Sequence, residues 1–84
     1  MNGFDNAFFG KGAGNANISG NANTIIGVSA DVGSGNLTNA TAIGANALVT
    51  QGKSLVLGSI SGVNGATSDT NVGIGTTAPR QSFR

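Results

Sequence analysis

The chain lacks the side chains that most enzymes use for acid–base or nucleophilic chemistry. Its 84 residues include no cysteine, no histidine and no glutamate. The absence of cysteine excludes a disulfide framework and a thiolate metal site, and the absence of histidine removes the commonest general base. The three aspartates, Asp5, Asp31 and Asp69, are far apart in the sequence, so a paired-carboxylate mechanism is not expected. We therefore predict that the chain is not an enzyme and holds no cofactor and no metal.

Charge and long apolar runs are also scarce. Only 8% of the residues are charged, the net charge is +1, and the four cations, Lys11, Lys53, Arg80 and Arg84, are scattered. A nucleic-acid partner is not expected, because such proteins carry a clustered basic surface. No apolar run approaches the roughly 18 residues that a membrane span needs, so we expect no membrane insertion by this segment. No signal peptide is visible near Met1.

What the chain does contain is a repeat built on short apolar runs that end in glycine. The spacings between successive glycines are 17, 17, 14 and 17 residues. A small residue follows each glycine three positions later, so the register extends beyond the apolar run. The five repeat glycines, which we assign to turns, are Gly10, Gly27, Gly44, Gly58 and Gly75. Five copies of one unit therefore fill the chain, which is typical of repeat architectures.

Each unit predicts one short strand bounded by turns, because β-favouring residues alternate with clusters of Gly, Asn and Ser. A helix is not expected, since no 3.6-residue apolar stripe lasts three turns. The sequence thus predicts an all-β fold, a parallel β-solenoid or β-roll of five short coils of 14–17 residues, as one repeat domain over residues 1–84. The coils are centred on residues 6–10, 23–27, 40–44, 54–58 and 71–75. Asn6, Asn23 and Asn71 recur four residues before their glycines. Asn and Gly in general suit the tight turns at the corners of the coils.

The strands are apolar on both faces. Positions one and three before each glycine share one face, and the position between them lies on the other. A strand that is apolar on both sides is usually buried on both sides, but a coil has only one interior. The second face needs a cover, so we predict self-association, and we expect Phe4 and the Phe8-Phe9 pair to pack. The predicted residues of the core or of a shared interior are Phe8, Phe9, Ile25, Ile26, Ile43, Leu55, Val56, Leu57, Val72 and Ile74.

Three stretches carry a family resemblance. "TAIGANALVTQGKSLVLG", residues 41–58, resembles the head repeats of trimeric autotransporter adhesins, the YadA-like family. "NAFFGKGAGNANISGNANTIIG", residues 6–27, resembles the longer repeats of bacterial surface and tail-fibre-type proteins. "NVGIGTTAPRQSF", residues 71–83, resembles the segment that leads into a C-terminal self-cleaving chaperone domain. The resemblance makes residues 76–84 a tail toward such a domain, which the sequence ending at Arg84 does not include.

The resemblance implies a homotrimer of left-handed parallel β-rolls in an extracellular fibre, on a cell surface or as a virion tail fibre. It also implies adhesion, so the expected function is a non-catalytic structural or adhesive segment that presents polar turns to a surface receptor or glycan. The 17-residue units are longer than the usual head repeat, which makes an irregular cross-section an expectation. The C-terminal domain assists trimer assembly in the family, so assembly without it stays open.

Two stretches fit nucleotide-binding patterns. "ALVTQGKS", residues 47–54, fits a permissive phosphate-binding loop, and "GIGTTA", residues 73–78, fits a dinucleotide fingerprint. Both patterns need a following helix whose N-terminus receives the phosphate. Strand-like "LVLGSISG" follows the first, and Pro79 follows the second. We therefore assign both stretches to the repeat, with Lys53 at the corner of a coil.

Other functions remain as alternatives. A flat β-solenoid face can bind ice or a regular glycan through a threonine ladder, which Thr24 and Thr41 begin and Leu55 and Val72 interrupt. The segment can also be the shaft of a polysaccharide-degrading phage fibre, which requires carboxylates clustered at a groove between subunits. Calcium-binding repeats of the Gly-x-Gly-x-Asp type are missing from the sequence. An ion held by Asn or Asp from several chains on a symmetry axis stays open.

Overall fold

The computed structural model describes residues 3–80 and confirms the predicted fold class. The described chain is all-β and contains no helix, and its parallel strands form a β-solenoid of about three turns. Its overall dimensions are 39 × 24 × 20 Å. The strands are β1 (Ala7–Phe9), β2 (Thr24–Ile26), β3 (Asp31–Val32), β4 (Ala40–Ile43), β5 (Leu48–Val49) and β6 (Ser54–Leu57).

The main sheet has four parallel strands in the order β1-β2-β4-β6. Its register pairs Ala7 with Thr24, and Thr24 with Thr41, so each step joins residues 17 positions apart. The last step pairs Thr41 with Leu55, which are 14 positions apart. These offsets equal the spacings of the repeat glycines. The repeat therefore sets the register, and equivalent side chains of successive coils lie one above another.

A second parallel sheet, formed by β3 and β5, was not predicted from the sequence. Asp31 pairs with Leu48, and Val32 pairs with Val49. Both valines are buried against the interior. The middle coils therefore have two strands rather than the single strand that we expected. Because each added strand is only two residues long, it shows no alternation that a sequence pattern can detect.

The difference between 17-residue and 14-residue units is absorbed in one turn. Seven residues, 33–39, connect β3 to β4, whereas four residues, 50–53, connect β5 to β6. The strands on either side of this turn stack in both cases, as the sequence predicted. The shorter unit therefore changes the outline of the coil without interrupting the sheets.

The interior of the solenoid is narrow and filled mainly by small residues. Ile25, Val32 and Val49 are the largest apolar side chains that are fully buried. The small residue three positions after the glycine is part of this interior at Ala13, Ala30 and Ala47. The N–H of each of these alanines donates to the carbonyl of the repeat glycine three residues earlier, at 3.1–3.2 Å. The partly buried side chains that pack against the interior are Phe8, Leu37 and Val56.

The repeat glycines form the corner at which the strand of the main sheet ends. Gly10, Gly27 and Gly44 have φ angles of 129°, 133° and 125°, which other residues rarely adopt. A Cβ atom on Gly27 would lie 2.5 Å from the carbonyl oxygen of Gly44 in the next coil. Glycine is therefore required here both for its conformation and for the close contact between successive coils.

The side chain of Asn23 lies inside the solenoid, directly after the left-handed residue Ala22, which has a φ of 56°. Only 1% of the surface of Asn23 is exposed. Its Oδ1 accepts a hydrogen bond from the backbone N–H of Ala40 at 2.9 Å, and its Nδ2 donates to the carbonyl of Leu37 at 2.9 Å. Asn6 occupies the same position one coil earlier and accepts from the N–H of Asn23 at 2.9 Å. The two asparagine side chains thus connect successive coils, because each accepts a hydrogen bond from a backbone N–H of the next coil.

The fifth predicted coil is not formed, because residues 71–75 contain no strand. The preceding segment folds back on itself and contacts earlier coils, since Nδ2 of Asn64 donates to the carbonyl of Ser29 at 2.7 Å. The backbone N–H of Thr70 donates to the carbonyl of Ser59 at 3.0 Å, and the side chain of Asp69 accepts from the N–H of Ser61 at 2.9 Å. Of the predicted tail 76–84, residues 81–84 lie outside the described residues.

The composition of the fifth unit explains why the predicted fifth coil does not form. In repeat register, Ser61, Val63, Asn71 and Gly73 would take the inward positions of the next coil. Only one of these four residues is apolar, whereas earlier coils place isoleucine, valine and alanine inside. A further coil would therefore order about 17 residues and bury little apolar surface in return.

Substitution of Gly27 by alanine is expected to destabilise the solenoid by more than about 2 kcal/mol, because the new Cβ adds a backbone clash to an unfavourable φ. Gly62→Ala is the matched control. Gly62 also has a positive φ, of 83°, but a Cβ there would meet no atom within 4 Å. The control should lose about 1–2 kcal/mol from conformation alone. Urea unfolding followed by circular dichroism measures both values, and equal losses would contradict the close-contact argument.

Substitution of Asn23 by alanine should cost about 1–3 kcal/mol, since it leaves the buried Ala40 N–H without its acceptor. The Leu37 carbonyl keeps the hydrogen bond that it accepts from the N–H of Asn21 at 3.2 Å. Asn15→Ala is the control, because Asn15 is exposed, and it should change stability by less than about 0.5 kcal/mol. The same unfolding experiment compares the two variants. A loss at Asn23 no larger than the loss at Asn15 would refute the structural role of the buried asparagine.

Candidate interaction surface

The outward face of the main sheet carries two parallel rows of side chains. We call the first the apolar row, and it consists of Phe9, Ile26, Ile43 and Leu57. We call the second the mixed row, and it consists of Ala7, Thr24, Thr41 and Leu55. Each row runs along the solenoid, because the in-register pairing of the strands brings equivalent positions together. Neighbours within a row are therefore about one interstrand distance, roughly 4.8 Å, apart.

The apolar row is exposed to solvent along its whole length. Between 37% and 77% of each side chain in the row is accessible, with Phe9 the most exposed. Leu55 of the mixed row is also exposed, at 61%. Exposed apolar residues are ordinary when they are scattered, but a continuous row of them marks an interaction surface.

Neither row contains a charged side chain. The only polar groups in the two rows are the hydroxyls of Thr24 and Thr41, which are neighbours in the mixed row. A charged or strongly polar partner would gain little here, since nothing on this face pairs with a charge. The face therefore favours a partner surface that is itself apolar.

The sequence-based list of core and interior residues divides into three groups in the structure. Ile25 is fully buried, and Phe8 and Val56 pack against the interior. Val72 and Ile74 belong to the unpaired fifth unit, where Ile74 is 87% exposed. The remaining five residues, Phe9, Ile26, Ile43, Leu55 and Leu57, lie on the outward face. Phe4 is also exposed, so of the three phenylalanines expected to pack, only Phe8 does so within one chain.

An open depression of about 220 Å³ lies beside the mixed row. Its lining includes the side chains at the start of β4 and β6, and a single cation, that of Lys53. The lining residues are Asn39, Thr41, Lys53, Ser54 and Leu55. The depression is small and mostly polar, so it adds hydrogen-bonding groups at the margin of the outward face.

The Gly52-Lys53-Ser54 stretch has none of the geometry of a phosphate-binding loop. Lys53 lies at a coil corner with a φ of 55°, and its N–H donates to the carbonyl of Thr38 at 3.1 Å. Strand β6 begins at the next residue, so no helix N-terminus follows the loop. The predicted assignment of this stretch to a corner is confirmed. Residues 73–78 likewise precede no helix in the described chain.

Two of the described carboxylates, those of Asp31 and Asp69, accept hydrogen bonds from the backbone. One oxygen of Asp31 accepts from the N–H groups of Ala16 and Val32, at 2.9 and 2.8 Å. Asp69 accepts from the N–H of Ser61 within the folded-back segment. Among residues 3–80, no three side chains of the types His, Cys, Asp and Glu are grouped so that they could hold a metal ion. That range also contains no helix long and apolar enough to cross a membrane.

No protein family, curated protein or solved structure matches this chain. The candidate surface therefore rests on the geometry of the described residues alone. The sequence predicted its apolar character from the alternation within each run, and it located the corner glycines. It did not reveal the interior role of the asparagines, because an asparagine at a turn and one inside a coil have the same spacing.

Replacement of Lys53 by glycine should leave stability unchanged or raise it by up to about 1 kcal/mol, because a left-handed corner residue is relieved of strain. Lys11→Gly is the control, since Lys11 does not have a positive φ. It should lose about 0.5–1 kcal/mol through the added freedom of the unfolded chain. Thermal or urea unfolding distinguishes the two variants. Similar losses in both would contradict the corner role of Lys53.

Proposed function

We propose that this chain is a non-catalytic structural and adhesive segment of a fibre, in which copies of the chain associate through the outward face. The observation that carries the proposal is the uncovered apolar row. Its four side chains come from four successive coils, so the row is as long as the main sheet. Burial of this surface gains roughly 25 cal/mol for each Å² of apolar area removed from water.

A second copy of the chain is the partner that best fits the face. Every copy carries the same rows with the same register, so the spacing of apolar side chains matches without adjustment. Self-association through one repeated surface is also the commonest way in which soluble proteins form assemblies. The absence of charge from both rows supports this choice, because no repulsion opposes the close approach of identical faces.

Three copies and an extracellular setting form the second part of the proposal. Both are supported by the resemblance of residues 41–58 to the head repeats of trimeric adhesins. In this arrangement the outward faces of three solenoids turn toward a common axis. The resulting rod belongs to a cell-surface adhesin or to a virion tail fibre.

The adhesive part of the proposal concerns the turns that the association leaves accessible. The turns between the strands expose polar residues, among them Asn15, Ser34 and Asn36. Repeated amides and hydroxyls suit hydrogen bonding to a surface receptor or a glycan. A stiff rod presents several equivalent turns at once, which strengthens a weak individual contact by multivalency.

One observation favours a second candidate function. Thr24 and Thr41 are neighbours in the mixed row, and a regular array of threonines suits binding to ice or to an ordered glycan. The array has only two members, because Ala7 and Leu55 flank it. A thermal-hysteresis assay of the wild-type chain tests this candidate directly. Measurable hysteresis that Thr24→Leu abolishes would favour it over the fibre.

The double variant Ile26→Thr/Ile43→Thr should prevent the association without unfolding the coils, because threonine keeps the β-branched shape while the apolar row is interrupted. Light scattering should give a mass near 24 kDa for the wild-type chain, three times 8.1 kDa, and near 8.1 kDa for the variant. Circular dichroism should be similar for both. The control Ser34→Thr/Asn36→Thr places two threonines on an exposed turn and should keep the larger mass. A wild-type chain that is folded and monomeric would refute the proposal.

A further inference from the structure

The chain contains the material for one more strand of the main sheet. Gly75 follows Gly58 by 17 residues, the same distance that separates the paired positions of β1 and β2. Twelve residues, 59–70, precede the run 71–75, and twelve residues, 28–39, lie between Gly27 and β4. The connecting segment is therefore long enough to complete another turn of the solenoid.

The place for this strand is the outer edge of β6. Within the described chain, β6 pairs with β4 alone, so its other edge has no strand partner. An addition that keeps the repeat register sets Val72 beside Leu55 and Ile74 beside Leu57. Both rows of the outward face would then gain an apolar member. The rows would lengthen from three interstrand steps to four, from roughly 14 Å to roughly 19 Å.

The two faces of this strand differ in the side chains that they can bury. Gly73 takes the inward position, which corresponds to Phe8, Ile25, Ala42 and Val56 in the other strands, and it contributes no side chain to the interior. Val72 and Ile74 take the outward positions, and Ile74 is 87% exposed in the single chain. Burial can therefore stabilise the strand only from the outward side.

We propose that residues 71–75 pair with β6 as a fifth strand when other copies of the chain cover the outward face. This inference rests on the proposed self-association and identifies Val72 and Ile74 as part of its interface. In the single chain the outward face is uncovered, so the strand gains too little to replace the hydrogen bonds of the folded-back segment, such as the bond from the Thr70 N–H to the Ser59 carbonyl. In the assembly, the same side chains are buried between copies. Formation of the last coil and association are therefore coupled.

The proposed pairing has a specific hydrogen bond that distinguishes it. In the three existing pairings, the N–H of the repeat glycine donates to the carbonyl of the residue before the preceding glycine. These bonds run from Gly27 to Phe9, from Gly44 to Ile26 and from Gly58 to Ile43, at 2.7–2.8 Å. A fifth strand in the same register extends this ladder with a bond from the N–H of Gly75 to the carbonyl of Leu57.

Amide hydrogen exchange measured by NMR on the full chain tests this bond. In the associated wild-type chain, the Gly75 amide should exchange at least about tenfold more slowly than in the monomeric Ile26→Thr/Ile43→Thr variant. The Gly58 amide is the internal reference, since its partner in β4 is present in both states. It should stay protected in both samples.

The possible outcomes separate the two proposals. An associated wild-type chain with a rapidly exchanging Gly75 amide would overturn the fifth strand and leave the self-association intact. A protected Gly75 amide in the monomeric variant would overturn the coupling, because the strand would then form without a cover. A monomeric wild-type chain would overturn the proposed function and the coupling together.

A second variant tests whether the missing inward side chain at Gly73 prevents the fifth strand from forming in the single chain. Gly73→Val supplies the missing inward side chain, and a Cβ at this position would lie 2.8 Å from the carbonyl oxygen of Thr76 in the present loop. Both effects favour the strand. When this change is added to the monomeric variant, protection of the Gly75 amide should rise several-fold. An unchanged exchange rate would refute the argument that the empty inward position keeps the strand from forming.

Discussion

The close contact between the backbones of successive coils is the constraint on which the rest of the structure depends. At the corner glycines the coils approach so closely that a single added Cβ atom would overlap the next carbonyl group. This contact fixes the spacing and the register of every strand in the main sheet. It also leaves a narrow interior, which accepts alanines at the corners and only a few larger side chains. Small residues and tight stacking are therefore two aspects of the same geometry.

The narrow interior has a consequence for the asparagines. A coil with such a small cross-section cannot pair every backbone group through two short sheets. Asn6 and Asn23 supply the missing hydrogen bonds from inside, and each one connects its own coil to the next. An amide side chain suits this task because it offers a donor and an acceptor at once. Polar side chains thus stabilise the stack in positions where a larger apolar residue would leave backbone groups unpaired.

The sequence was sufficient to predict the class of fold, the positions of four of the strands and the register between them. These features follow from a repeat whose glycines and alternating apolar residues have direct structural meanings. The second sheet could not be predicted, because β3 and β5 contribute two residues each. The place of Asn23 in the interior was missed for a different reason. Its spacing is the same for a corner and for an inward position, and only the path of the chain distinguishes them. The failure of the fifth coil depends on Gly73, where the pattern continues but the inward side chain is missing.

The stacking of the coils gives the outward face the apolar surface on which the proposed association depends. Because the stacking places equivalent residues one above another, an apolar choice at one position of the unit becomes a continuous apolar row. Interior side chains are buried within each coil and stabilise it in the single chain. The apolar row contributes free energy of burial only when another surface covers it. A unit with an apolar side chain in the inward position therefore folds within the single chain. A unit with an empty inward position and apolar outward residues, such as the last one, depends on a covering surface for its stability. The inward and outward side chains of a strand thus decide whether its coil forms in the single chain or only when copies associate.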